Sequence, residues 1–551
     1  MSENSIDHSH GHHLSSRQRK RFPPRALRVG IAVVISRFPL FLLVLPALDL
    51  STVLEASPKH PNIIYILADD LGYGDVSSYN PESRIQTPHV DRLAAEGMRF
   101  TDAHTPSAVC TPTRYGILTG RYSWRTRLKY RVLDGFDPPL IESDRITVPG
   151  FLRDAGYDTA CVGKWHLGME WTDKKGEPLP AVSIDRRMPP RPGFDVDFSV
   201  PVKGGPTAVG FDHFFGISAS LNMSPFCYLV DDLPYQIPDL KQEAIRTEFI
   251  VVDEGVRSPD FTIAGVMPRL TGEAVRIIEE QGAERPDTPF FLYAPLTSPH
   301  LPVIPNAEFR GTSEAGDYGD FVVETDAFVG AVLDALDRTE LADNTLVIFT
   351  SDNGGLYHWW DAKEADDLKH YQIKGRGAAM KEFGHQGNAQ LRGTKADIWE
   401  GGHRVPFVVR WPGFTPAGTV NNELVELTDL LATCAAISGG KLPEGAGPDS
   451  VNILPALRKA KTDEPLRDFA IHHSLWGTFA ARQGPWKMIP HRGSGGFTQP
   501  RDLDPEKEGG PAGQLYHLDN DPAETQNLWN KHPEIVEKLQ ALLKDVKDAE
   551  K

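Results

Sequence analysis

Four short runs of apolar residues, each ending abruptly in polar groups, constrain this chain more than any other feature. They are Pro61–Ala68 (PNIIYILA) ending in Asp69-Asp70, and Thr159–Gly163 (TACVG) ending in Lys164-Trp165-His166. The others are Pro289–Ala294 (PFFLYA), followed by Ser298-Pro299-His300, and Thr345–Thr350 (TLVIFT), followed by Ser351-Asp352-Asn353-Gly354. A continuous apolar run of this length, without alternation, suits a strand buried on both faces of a parallel sheet. Amphipathic stretches over Thr271–Gln281 and Gly319–Leu341 read as crossover helices. Strand, polar tip and helix in repetition predict an α/β fold, a large, mixed, mostly parallel sheet sandwiched by helices. Such sheets take ligands beyond the carboxyl ends of their strands, where four tips here deliver polar side chains.

The style changes near residue 465. Ala480–Ile489 reads as two short strands around a turn, Arg492–Gly513 is rich in Gly and Pro, and a charged helix starts at Pro533. This predicts a small antiparallel α+β unit over 465–551, after an α/β unit over 58–464. Residues 1–57 read as a leader. Arg17–Arg28 is strongly basic, Val29–Leu50 is mostly apolar, and Ser51–Ala56 is a candidate processing region. That is the order of a secretory signal, so a secreted or periplasmic protein is expected. Arg37, Pro39 and Pro46 interrupt the apolar run, which sets it apart from a clean membrane span; an uncleaved membrane anchor is the alternative. Four histidines at positions 8, 10, 12 and 13 are read as part of this leader.

The 551 residues carry 58 Lys plus Arg against 75 Asp plus Glu, a formal charge of −17. A nucleic-acid partner is excluded as a class, because its electrostatic footprint would be basic. An anionic substrate therefore needs a local cationic cluster inside an acidic protein. Four cysteines are too few for a disulfide framework.

At the strand tips, Asp69, Asp70, Asp352 and Asn353 supply three carboxylates and an amide oxygen. That donor set suits a hard divalent cation. For either pair alone, capping of a following helix is the better reading, and the metal reading overtakes it because both pairs stand at equivalent strand ends. The chemistry sharpens at Cys110-x-Pro112-x-Arg114, backed by Leu118-Thr119-Gly120-Arg121. Pro112 suits the first helical position, which puts residue 110 near a helix N-terminus, where backbone N–H groups favour an anion. Alone, the motif also fits a buried cysteine before a helix.

This segment resembles the signature of the type I sulfatases, which belong to the alkaline phosphatase superfamily. Other blocks resemble that family in its order: NIIYILADDLGYGD from Asn62, GKWHLG from Gly163, Ser298-Pro299-His300, TSDNG from Thr350, GTKADIWEGG from Gly393 and LYHLDNDPAETQNL from Leu515. The resemblance covers residues 60 to 530 or so and leans toward the arylsulfatase A and N-acetylgalactosamine-6-sulfatase branch. It implies that a formylglycine-generating enzyme converts Cys110 to formylglycine. It also implies that Asp69, Asp70, Asp352, Asn353 and residue 110 hold a metal, Ca²⁺ with Mg²⁺ as the alternative. Arg114 would brace the hydrated aldehyde, Lys164 and Lys395 would grip sulfate oxygens, His166 would lie near the aldehyde hydroxyls and His300 near the leaving oxygen. The family's Ser/Thr site residue has no clear counterpart in the sequence.

The implied activity is hydrolysis of sulfate monoesters of carbohydrate or aryl alcohols. Fixed cations aimed at charge that develops on sulfuryl oxygens are what such a reaction needs. A hydrated aldehyde can attack with one hydroxyl and expel sulfate by collapse of the other, a covalent route that clears itself. The metal would activate the attacking hydroxyl and a histidine would protonate the leaving alcohol. Two rivals stand beside this reading: a phosphate or phosphonate ester hydrolase of the same superfamily, and a non-catalytic sulfoglycan-binding protein that keeps its thiol. Specificity is expected from rim segments. One lies between Gly355 and Gly393 and carries His358, Trp359, Trp360, Lys374, Arg376 and His385; another spans Gly168–Pro206. His403, His472 and His473 match no motif and are expected to be structural.

Overall fold

The computed structural model describes residues 60–180, 191–247, 250–358, 376–504 and 509–549. The leader, with its basic and apolar stretches, lies outside the described residues, and among those described no helix is long and apolar enough to cross a membrane.

The four apolar runs form the centre of a ten-stranded sheet, together with a fifth strand at His213–Ile217. Across this centre the order is Thr345–Ser351, Asn62–Ala68, Phe290–Pro295, Asp158–Lys164, His213–Ile217, all parallel. Beyond Thr345–Ser351 lie Phe407–Arg410, Met98–Phe100 and Thr419–Asn421; beyond His213–Ile217 lie Leu229–Val230 and Leu233–Pro234. The run Asn62–Ala68 is buried at every position. Its residues alternate between two cores: Ile64, Ile66 and Ala68 face one side, and Ile63, Tyr65 and Leu67 the other. Covering both faces removes the alternation of polarity that a half-exposed strand would show.

Helices Val266–Glu284 and Gly316–Arg338 cover the first face, burying Leu270, Ala274 and Ile278 from one and Val322, Val329 and Leu336 from the other. Both start earlier than the sequence pattern indicated. Pro268 is tolerated because it falls in the first turn, where its missing N–H has no intrahelical partner. The Asp320 carboxylate accepts from the backbone N–H groups of Gly311 and Ser313, which fixes the turn before the second helix. Helices Cys110–Thr119, Val148–Asp154 and Leu430–Ile437 cover the opposite face.

The C-terminal part forms an antiparallel sheet of four strands in the order Ala470–His473, Phe479–Gln483, Trp486–Ile489, Gln514–His517. Helix Pro533–Asp548 packs Val536, Leu539, Leu543 and Val546 against Ile471, Ala481, Met488 and Leu515. Charges cross between this sheet and the large one. Lys487, fully buried, lies 3.0 Å from Glu400 and 2.9 Å from Glu524. Arg482 donates to both oxygens of Asp102 at 2.7 Å. His403 and His472 stack in the same region, with ring centroids 4.0 Å apart, and His104 donates to or accepts from both His403 and Asp102.

Candidate active site

The tips of the five parallel strands are tied to one another by backbone bonds. Asp352 N–H donates to Ala68 at 3.0 Å, Asp69 N–H to Ser298 at 3.0 Å, and His166 N–H to Ser218 at 2.9 Å. Two glycines permit the approach. A Cβ on Gly163 would lie 1.9 Å from the Pro295 carbonyl oxygen, and one on Gly354 1.8 Å from that of Gly401. Asp70, His166 and Ala396 take left-handed backbone conformations, with φ of 68°, 57° and 79°. For non-glycine residues such conformations cost about 1–3 kcal/mol each and persist where the surroundings over-determine them.

All ten residues singled out from the sequence come together here. Cys110 opens helix Cys110–Thr119. The ligand atoms of Asp69, Cys110 and Asp352 lie within 4.8 Å of one another, as do those of Asp69, Asp70 and His300. Arg114, fully buried, donates to Asp352 Oδ2 from Nε at 3.0 Å and from Nη2 at 2.8 Å, and from Nη1 to the Lys164 carbonyl at 2.8 Å. Lys164 Nζ is 2.7 Å from Asp69 Oδ2, and Lys395 Nζ is 2.6 Å from Asp70 Oδ1 and 2.8 Å from Oδ2. Asn353 donates from Nδ2 to Asp70 Oδ1 at 2.8 Å. Three cations thus face three carboxylates among buried side chains, the local cluster that the acidic net charge demanded.

The electrostatics follow from this packing. Burial alone would raise the Asp70 carboxyl, but Lys395 and His300 together outweigh it and hold the group below its usual range. Asp352 is pushed up by burial and by Asp69 beside it, even with Arg114 opposing. Burial raises the Cys110 thiol against the pull of Lys164 and Lys395. Lys395 rises despite burial, held by Asp70 above all. His166 and His300 are both driven down, first by burial and then by the neighbouring lysines. His166 Nε2 lies 2.7 Å from the Leu133 carbonyl oxygen, an acceptor only, so Nε2 carries the proton and Nδ1 presents a bare lone pair with no partner. His300 likewise turns Nδ1 to the Leu301 carbonyl, leaving Nε2 3.7 Å from Asp70.

Two buried acceptors here have no hydrogen-bond partner, Asp69 Oδ1 and Asn353 Oδ1. Buried polar atoms are satisfied as a rule, so two unmet oxygens beside clustered carboxylates mark a place where a cation fits. Hard divalent ions take carboxylate and amide oxygens of this kind.

Sequence reasoning missed the strand His213–Ile217 and its tip. Ser218 and Ser220 are buried there with unpartnered hydroxyls, next to His166. The run HFFGI before Ser-Ala-Ser carried the signal, but it is short and interrupted by His and Gly. The rim reading of His358 and His385 is corrected: both are buried, His385 2.7 Å from Asp75 and His358 accepting from the Asn388 N–H. Their aromatic rings are consumed by these internal bonds. Trp359, Trp360 and Lys374, and residues 181–190 of the second rim segment, lie outside the described residues, as does the side chain of Arg376.

Comparison with known proteins agrees with this geometry. The Sulfatase family model matches residues 61–440. An N-acetylgalactosamine-6-O-sulfatase of Bacteroides thetaiotaomicron is 32% identical over 518 residues, spanning 89% of this chain and 93% of that protein. Bovine arylsulfatase A is 31% identical, spanning 88% and 87%. A solved structure from work on the metabolism of multiple glycosaminoglycans by Bacteroides thetaiotaomicron superposes with a TM-score of 0.73 at 29% identity, covering 89% of this chain and all of that one. With that match running from the first central strand to beyond the last cationic tip, the chain belongs to the sulfatase family and is a sulfatase.

Proposed function

We propose that this sulfatase cleaves sulfate monoesters of a carbohydrate with a formylglycine at position 110 and a bound divalent cation, and that 6-O-sulfated N-acetylgalactosamine is its substrate unit. The observation that carries the mechanism is the meeting of Cys110, Arg114, Lys164 and Lys395 with three carboxylates and two unmet oxygens at one sheet edge. The sugar is suggested by the relative of Bacteroides thetaiotaomicron, which carries that specificity in its name and aligns nearly end to end.

Asp69, Asp70, Asp352 and Asn353 would hold the cation, which when bound supplies positive charge that lowers the pKa of a neighbouring hydroxyl. Oxidation of Cys110 would give a hydrated aldehyde that supplies both a nucleophilic hydroxyl and a second hydroxyl for release of sulfate. The remaining work falls to side chains already in place. Arg114 fixes Asp352 with two bonds and holds the strand end of Lys164 by its carbonyl, so helix and sheet keep residue 110 aimed at the pocket. Lys164 and Lys395 face the same pocket from opposite tips and place two positive charges where the sulfuryl oxygens gain negative charge. His166 Nδ1 is a bare acceptor, which the family resemblance puts near the hydroxyls of residue 110, where it would take a hydroxyl proton. With Nδ1–H held by the Leu301 carbonyl, His300 Nε2 would first take a proton from solvent and then donate it to the departing sugar oxygen. Calcium is favoured over magnesium by the family resemblance. The basic and apolar leader supports export from the cytoplasm.

The test compares nitrophenyl sulfate, nitrophenyl phosphate and 6-O-sulfated N-acetylgalactosamine, using protein made together with a formylglycine-generating enzyme. Sulfate esters should be preferred, and Cys110→Ala should abolish turnover without loss of fold. Mass spectrometry of the peptide bearing residue 110 should show the aldehyde. A preference for phosphate, or full activity with an unmodified thiol, overturns the proposal.

A further inference from the structure

Beside the catalytic pocket, the segment after helix Cys110–Thr119 and the C-terminal sheet and helix enclose a second cleft of about 530 Å³. That is within the range of small-ligand sites. Its wall carries Trp124, Arg125, Lys129, Trp476, Lys547 and Asp548. Trp476 is 41% exposed, a large apolar plate left in solvent, and the Arg131 guanidinium lies 5.5 Å from its ring centre. Arg125 is committed to Asp449, at 2.9 and 3.0 Å. The other two cations are not so neutralised. Lys129 Nζ donates to the Trp124 carbonyl at 2.7 Å, and Lys547 Nζ sits 4.4 Å over the Phe479 ring; neither has a carboxylate within ion-pair distance among the described residues. The one acid on the wall, Asp548, is drawn to Lys544 at 2.8 Å. In a chain of net charge −17, a cleft with two uncompensated ammonium groups beside an exposed indole has a narrow range of partners. An indole face takes the C–H face of a sugar ring, and the ammonium groups take an anionic substituent.

The cleft is joined to the catalytic residues by a short ladder. Arg131 N–H donates to Leu475 at 2.8 Å, Leu475 N–H to Ala396 at 3.0 Å, and Ala396 N–H to Ala108 at 2.8 Å. Ala396 follows Lys395 and Ala108 comes two residues before Cys110, while Val109, Ala396 and Leu475 pack together against Val132. Standard bond lengths along this path put the Cα of Trp476 within about 15 Å of that of Lys395. A short oligosaccharide spans that distance.

We propose that this cleft is a second subsite, which binds an anionic sugar unit of the same chain whose sulfate ester is cleaved at residue 110. The proposal rests on the sulfated-carbohydrate reading of the catalytic pocket and adds that the substrate is an oligosaccharide rather than a single sugar. The test uses a tetrasaccharide containing 6-O-sulfated N-acetylgalactosamine, its desulfated form and nitrophenyl sulfate, which is too small to occupy both places. In Trp476→Ala and Lys547→Glu, the ratio of kcat/KM for the tetrasaccharide to that for nitrophenyl sulfate should fall at least tenfold, mainly through KM. Trp476→Phe should keep most of it. In protein that also carries Cys110→Ala, calorimetry should show the sulfated tetrasaccharide binding at least tenfold more weakly once Trp476 is removed. The desulfated form should bind weakly with or without Trp476. An unchanged ratio together with an unchanged Kd overturns the subsite. If wild-type protein hydrolyses no sulfate ester, the catalytic reading fails, and the calorimetric comparison still decides the subsite by itself.

Discussion

Removing the charge of Lys395 tests the electrostatic argument most directly. Its ammonium lies 2.6 and 2.8 Å from the two oxygens of Asp70, and its side chain is 8% exposed, so it is anchored and nearly buried. A hydrogen bond to a charged group is worth about 1.5–3 kcal/mol. Loss of one preorganised donor to a developing oxyanion costs about 2.7–4 kcal/mol in activation free energy. Lys395→Met should therefore lower kcat/KM for nitrophenyl sulfate by about 2–4 kcal/mol, or roughly 30- to 900-fold. The loss should fall mainly on kcat, because a charge that matters more in the transition state than in the ground state acts there. Lys395→Arg keeps a cation at the site and should recover a substantial part. Urea unfolding of both variants separates this from collapse of the site, since a merely structural lysine would move the unfolding midpoint in step with the rate. A kcat/KM within threefold of wild type, in a folded Lys395→Met protein, refutes the reasoning.

Two further outcomes follow from the unmet oxygens and from the buried imidazoles. Exhaustive chelation should abolish sulfate-ester turnover and lower the thermal midpoint, and Ca²⁺ should restore both; a cation at 100 times its Kd stabilises by about 2.7 kcal/mol. Turnover that survives chelation would remove the cation from the site. Histidines that burial holds below their ordinary value contribute to the pH dependence of stability, among them His473 at about 4 and His358 at about 3, with His104, His403 and His472 shifted the same way, while Glu426 and Glu524, raised by burial to about 8 and about 7, act in the opposite sense. The histidines take a proton in the unfolded chain before the folded one, so their stabilising contribution is complete above about pH 6.5 and is lost as pH falls toward their folded values. Between pH 7 and pH 5 the calorimetric midpoint of His473→Gln should lose less, relative to its own value at pH 7, than that of the wild-type protein. Parallel profiles of the two proteins over that interval contradict the assignment.

Part of the site was legible because several functional side chains follow an apolar strand, while Cys110, Arg114 and Lys395 were legible only through the family blocks that they sit in. Asp69, Lys164 and Asp352 each end or directly follow a short apolar run that suits a buried parallel strand, and the sheet then brings the tips together. Ser218 and Ser220 were not legible, because His213–Ile217 mixes a half-buried imidazole with glycine and lacks the apolar density of its neighbours. The outer strands, such as Phe407–Arg410 and Thr419–Asn421, are too short for a period to show. His358 and His385 misled for a different reason: a long polar segment reads as solvent-facing, yet Asp75 and Asn388 draw these rings inward. Nor does spacing reveal that Lys164 and Lys395 contact the aspartates themselves, since 95 and 325 residues separate the partners.

The buried Lys487 has a consequence for the order in which the enzyme matures. Glu400 belongs to the same loop as Lys395, and its countercharge arrives from residue 487, while its backbone N–H is met by Glu524. Until those late residues have left the ribosome, the buried Glu400 carboxylate would have only Arg404, at 3.4 Å, opposite it and would lack its closest countercharge, an unfavourable state in a buried site. Assembly of the reaction centre is thereby deferred until residue 487 is available, and a nascent chain halted before Lys487 should be inert however well its central sheet has formed.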